Sequence, residues 1–137
     1  MWWIYALLSA LFAALTAIFA KVGIQGVNSD LATAIRTIVI LILAWSIAYS
    51  RGAVVNLHHL TRQNILFLIL SGIATGLSWI FYFRALQLGK VSQVAPVDKL
   101  SVAIAILLSV VFLGEVLTAK LAIGAGLIIA GTMVLIL

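Results

Sequence analysis

Apolar residues in this chain come in long runs rather than in alternating stripes. Residues 2–20 carry no charge at all, and four further stretches of similar character follow at 31–49, 65–83, 91–113 and 121–137, each bounded by a charge or a polar cluster. A helix needs about 20 residues to cross a hydrocarbon core, so the pattern predicts five spans. Helices satisfy their own backbone groups in lipid, whereas a membrane barrel would show alternating segments of about ten residues, which are absent here. The first run could pass for a secretory signal. It lacks a basic leader, opens on Trp2 and Trp3 and exceeds the usual apolar length, so it is expected to be a retained helix.

Composition sharpens this reading. Of 137 residues 66% are hydrophobic and 8% charged, with mean hydropathy +1.34, whereas a soluble domain is about a quarter charged. The fold class is therefore an all-α integral membrane protein, a single transmembrane domain over residues 1–137, with no room for a soluble catalytic module. Cysteine is absent, which removes disulfides, thiolate metal sites and cysteine nucleophiles. The net charge of +5 comes from eight scattered basic residues, so no nucleic-acid surface is expected. No metal or other cofactor is expected either. His58 and His59 are adjacent on a connection and make a poor chelate without further ligands, and no phosphate-cradling glycine loop is present.

The connections are short. In Gly26-Val27-Asn28-Ser29-Asp30 the glycine suits a helix end, and Ser29 or Asp30 is expected to cap the second span. The longest connection, residues 50–64, reads as a modestly polar loop. Five spans put the termini on opposite faces, so the basic residues sort into Arg51, Arg62 and Lys120 on one side and Lys21, Arg84 and Lys90 on the other. Orientation normally follows an excess of Lys and Arg on the cytoplasmic side. Three against three gives none. Either a few residues near the ends decide orientation, or copies insert both ways and pair as an inverted repeat.

Small residues recur at intervals of four on three spans: Ser9, Ala13 and Ala17; Gly72 and Gly76; Ala122, Gly126 and Ala130. Such seams let helices approach closely, either within one bundle or between two copies. Gly72, Gly76 and Gly126 are the structural candidates among them. The third span also carries Ser71, Thr75, Ser78 and Tyr82 on one helical stripe, answered in the fourth by Asp98, Ser101 and Ser109. This stripe suits the wall of a polar cavity or interhelical hydrogen bonding.

The charges inside spans are the most specific signal. Asp98 and Lys99 lie near the middle of the fourth span just after Pro96, and each costs about 2.5 to 3.5 kcal/mol at a helix centre. Neighbours on a helix point about 100° apart, so each is expected to need a partner elsewhere. Arg36, inside the second span, is a candidate partner for Asp98, or it snorkels to the interface. Pro96 removes a donor and is expected to kink its helix. Intramembrane ionisable residues mark functional sites by default, so Asp98, Lys99, Arg36, Ser71, Thr75, Ser78 and Tyr82 form the expected substrate-binding or coupling set.

These features converge on a family pattern. Phe19-Ala20-Lys21 closes the first span, Ala34-Ile35-Arg36 lies in the second and Tyr82-Phe83-Arg84-Ala85-Leu86 closes the third. Leu113-Gly114-Glu115-Val116-Leu117-Thr118 follows the fourth, with Gly124 and Gly131 in the fifth. Over nearly its whole length the chain resembles the EamA-type domain of the drug/metabolite transporter superfamily in its single-repeat, five-helix form. The resemblance implies one half of an inverted-repeat transporter of small metabolites or drug-like compounds. It implies alternating access and a second copy, so a homodimer, antiparallel if topology is dual, in the cell (inner) membrane. The alternative is a non-transporting structural or regulatory subunit that pairs with another five-helix half. An intramembrane enzyme is not expected. Glu115 resembles the family's Gly-Glu feature at a membrane end, with a structural role in holding helix ends together. The Asp98-Lys99 pair departs from the family's usual uncharged stretch after the proline, and the first span lacks the acidic residue that four-helix multidrug members use for proton exchange.

Overall fold

A computed structural model describes residues 1–137. It is helical throughout, with six α-helices: α1 (Trp2–Gly23), α2 (Ser29–Ser50), α3 (Arg62–Leu88), α4 (Val91–Asp98), α5 (Leu100–Leu113) and α6 (Ala119–Ile136). Five spans long and apolar enough to cross a membrane result, because α4 and α5 together make one broken span over Val91–Leu113. The spans expected from the apolar runs are all present. Their ends extend by up to five residues, since polar and charged residues at membrane ends can still complete helical turns.

Helix ends show local chemistry at work. Asn28, in extended conformation, caps α2: its side-chain oxygen accepts from the amides of Asp30 at 2.8 Å and Leu31 at 3.2 Å. The expected caps, Ser29 and Asp30, instead occupy the first turn. There Asp30 faces the positive end of the helix dipole, and Ser29 is buried. Gly26, at φ 73°, supplies the left-handed turn that ends the preceding segment. The connection expected as a loop holds a 3₁₀ helix over Ala53–His59, entered through Gly52 at φ 66°. Its apolar Val54 and Leu57 fold back on Ala44, Trp45 and Ala48 of α2 around a cavity of about 250 Å³. Apolar side chains in this stretch drive it onto the helix, which a charge count does not register.

By contacts the chain sorts into two compact units, one of Met1–Ile18 with Leu88–Leu137 and one of Phe19–Gln87, so the division falls inside α1. In the first unit α6 packs against both α4 and α5. Thr132 is buried there and Gly124, Ala125 and Ile128 are half-buried, so the packed face of α6 follows 124, 128 and 132. The seam at Ala122, Gly126 and Ala130 is exposed, and a side chain built on Gly126 would meet nothing. In the second unit the buried residues are Ala20, Ile24, Ser29, Thr33, Phe83 and Leu86.

Candidate functional site

Two polar constellations lie within spans, one in each unit. The first is the break between α4 and α5. Pro96 has no amide to donate to the preceding turn. Three residues later the Lys99 amide divides between the carbonyls of Ala95 at 3.3 Å and Pro96 at 3.1 Å, and the Val102 amide bonds to the Lys99 carbonyl at 3.0 Å. These three-residue steps tighten the chain into a 3₁₀ turn, and ψ at Lys99 falls to −10°. From α6 the Thr132 hydroxyl, 4% exposed, shares its proton between its own Ile128 carbonyl at 2.8 Å and the Pro96 carbonyl at 3.3 Å. That contact joins the broken span to its neighbour at the level of the break.

Asp98 and Lys99 occupy this turn. Contrary to the expectation that each needs a partner elsewhere, Lys99 Nζ donates to Asp98 Oδ2 at 3.4 Å. Neighbours on the tightened turn still start apart, about 120° at three residues per turn, so it is the flexible four-carbon stem of Lys99 that bends back and closes the gap. The pair is long and open, with side chains 57% and 35% exposed for Lys99 and Asp98. It cancels net charge at mid-span without fixing either group firmly. Ser109, lower in the same span, bonds back to the Ile106 carbonyl at 2.9 Å, and Ser101 is exposed.

The second constellation gathers the ends of three spans. Lys21 Nζ donates to the Leu86 carbonyl and Gln87 Nε2 to the Val27 carbonyl, tying α1, the α1–α2 connection and α3 together. Above this knot Arg36 of α2 lies over two rings of α3, its guanidinium carbon 4.6 Å from the Trp79 centroid and 5.0 Å from that of Phe83. Phe83 is 2% exposed and meets Tyr82 edge-on, with centroids 6.4 Å apart. Each ring contact contributes about 0.5 to 2 kcal/mol, against about 2.5 to 3.5 kcal/mol for an arginine at a helix centre. The rings therefore offset a good part of the cost of the charge. They satisfy none of its N–H groups.

Three segments that carry the family pattern thus meet in one place: Ala20-Lys21, Arg36 and Tyr82 to Leu86. Trp79 and Gln87, which complete the arrangement, are missed by sequence reasoning. No sequence signal marks them, because the packed face of α3, at 79, 83 and 86, emerges only in three dimensions. The serine stripe lies one residue to the side of that face. Ser71 and Ser78 are exposed, Thr75 bonds back to the Ser71 carbonyl at 2.9 Å, and Tyr82 alone is half-buried. Gly72 and Gly76 meet nothing at the position of an added Cβ, so they make no close helix contact within the chain. At the end of α5 the amides of Gly114, at φ 69°, and Glu115 return to the Ser109 carbonyl. The Glu115 backbone closes that helix, and its carboxylate is exposed.

Five apolar spans define a multi-pass integral membrane protein. The chain belongs to the EamA-like transporter family, whose pattern matches residues 1–137. It is 49% identical over 134 residues to a Sinorhizobium protein described as an uncharacterized transporter in the cobO 3′ region, covering 98% of this chain and 95% of that one. No solved structure matches.

Proposed function

We propose that the chain is a secondary transporter, not an enzyme, that moves small metabolites or drug-like compounds by alternating access. It acts as an antiparallel homodimer in the cell (inner) membrane, each copy contributing residues 1–137 as one five-helix half. The observation that carries this reading is the broken span α4–α5, with Asp98 and Lys99 at the break. Transporters of inverted-repeat design bind substrate and coupling ions near the bilayer midplane at such discontinuous helices. Asp98 is about four residues, or roughly 6 Å, from the middle of its span. In an inverted dimer the two-fold axis lies in the membrane plane, so this level of one copy approaches the same level of the other. The loose Asp98–Lys99 pair can then exchange partners between copies or with substrate. Arg36, Ser71, Thr75, Ser78 and Tyr82 are the further residues assigned to substrate binding or coupling. Even charge on the two faces supports dual insertion.

Flux measured with purified protein in liposomes, over a panel of labelled amino acids, nucleosides and sugars, tests the transport. Asp98→Asn and Lys99→Gln are each expected to abolish it while insertion and dimerisation persist. Normal flux in both variants would leave these charges a role in assembly alone. Accessibility of tags on both termini in intact cells tests the dimer's sense, and exposure of one terminus only on one side would refute dual topology.

A further inference from the structure

Arg36 is an intramembrane cation that rests on two aromatic rings and makes no hydrogen bond or ion pair. The guanidinium carbon lies 4.6 Å from the centroid of the Trp79 ring and 5.0 Å from that of Phe83, contacts that leave its N–H groups without an acceptor. The N–H groups of a guanidinium lie in its plane, in a fork that matches two oxygens of a carboxylate or phosphate.

The unit formed by Phe19–Gln87 offers no acid to fill this fork. Its one carboxylate, Asp30, is six residues before Arg36 on α2, about 240° around the helix, and is exposed in the first turn. Against it stand Lys21, Arg36, Arg51, Arg62 and Arg84. Lys21 already bonds the Leu86 carbonyl. Arg36 is seven residues from the start of α2, roughly 10 Å inside the span, so water does not supply the missing acceptors freely. Ser29 and Thr33 precede it on the same face at steps of four and three. The Ser29 hydroxyl is buried with no partner, so this face holds a second polar group that the chain leaves unsatisfied.

We propose that the N–H groups of the Arg36 guanidinium form an anion site, taking the carboxylate or phosphate of an organic ligand. The proposal deepens the transporter reading by giving the substrate class a negative charge, and rests on that reading for the word substrate alone. The same chemistry is presented by a dissolved organic anion and by a lipid headgroup.

The test is calorimetric titration of the full chain in a neutral maltoside detergent with sodium benzoate, with benzyl alcohol as the uncharged counterpart and phosphatidylglycerol as the lipid source. Benzoate is expected to bind and benzyl alcohol not to. Arg36→Gln is expected to weaken benzoate about tenfold or more, the size of one charge-assisted pair, and Arg36→Lys to fall between, since it keeps charge and loses the fork. Arg36-dependent binding of phosphatidylglycerol without benzoate assigns the site to a headgroup. Equal benzoate affinity in the wild type and Arg36→Gln, equal binding of benzyl alcohol, or no binding of any anion overturns the proposal. Should Arg36→Gln fail to fold, the Arg36→Lys variant and the benzoate against benzyl alcohol comparison decide. The readout is binding, so its failure leaves the flux experiment standing. Absence of flux with Arg36-dependent binding intact would remove the transport reading alone.

Discussion

Replacing Thr132 by valine removes one hydroxyl and keeps the branched shape, so it isolates the bond between α6 and the break in the fourth span. Two bonds are lost, to the Ile128 carbonyl at 2.8 Å and the Pro96 carbonyl at 3.3 Å. Neither acceptor is left bare. Pro96 keeps the Lys99 amide at 3.1 Å, and Ile128 keeps the backbone amide of its own helix. The loss is therefore the net value of an interhelical hydrogen bond, which averages about 0.6 kcal/mol in membrane helices and reaches about 1.7. One proton divided between two acceptors places Thr132→Val at the lower figure or below. Thr132→Leu is a different perturbation. The site is 4% exposed, so the extra bulk is forced between α6 and its neighbours and is expected to cost about 1 to 3 kcal/mol. Val134, exposed on the same helix, serves as the control, and Val134→Leu is expected to change little. Reversible unfolding in mixed micelles of dodecyl sulfate and a neutral detergent, followed by helical circular dichroism, measures all three. A loss above about 2 kcal/mol for Thr132→Val would refute the reasoning, because the bond would then outweigh the packing. A harmless Thr132→Leu would refute the burial.

Further outcomes follow from single residues. Asn28→Ala deletes the cap that accepts from Asp30 and Leu31, and a loss of about 1 kcal/mol is expected in the same unfolding assay, with no change marking the cap as dispensable. Ser29→Ala removes the buried hydroxyl that has no partner and is expected to be neutral or stabilising by up to about 1 kcal/mol, so marked destabilisation would reveal a hidden acceptor. Gly126→Leu adds bulk where a Cβ meets nothing. It is expected to leave the single chain's stability unchanged or slightly raised, since leucine favours helix by about 0.8 kcal/mol over glycine. If the exposed seam of α6 joins two copies, the same variant lowers the dimer fraction measured by energy transfer in bilayers. An unaltered dimer would remove this seam from the interface.

The amino-acid sequence by itself determined the number of spans, their approximate limits and their class, because run length and the absence of charge are one-dimensional properties that lipid reads directly. It also marked Asp98, Lys99 and Arg36, since ionisable groups stand out against an apolar background. Which face of each helix packs was decided only in three dimensions. In water a buried stripe differs in polarity from an exposed one, but lipid is as apolar as a helix interface, so leucines inside and outside look alike. That is why the serine stripe of α3 and the 122, 126, 130 seam of α6 were visible in sequence, while the packed faces at 79, 83 and 86 and at 124, 128 and 132 were not. The partners of the charges were likewise tertiary. Asp98 and Lys99 meet through the conformation of a flexible lysine stem, and Arg36 rests on rings 43 and 47 residues away in the chain. Both depend on side-chain conformation and helix docking, which residue spacing along a regular helix does not encode.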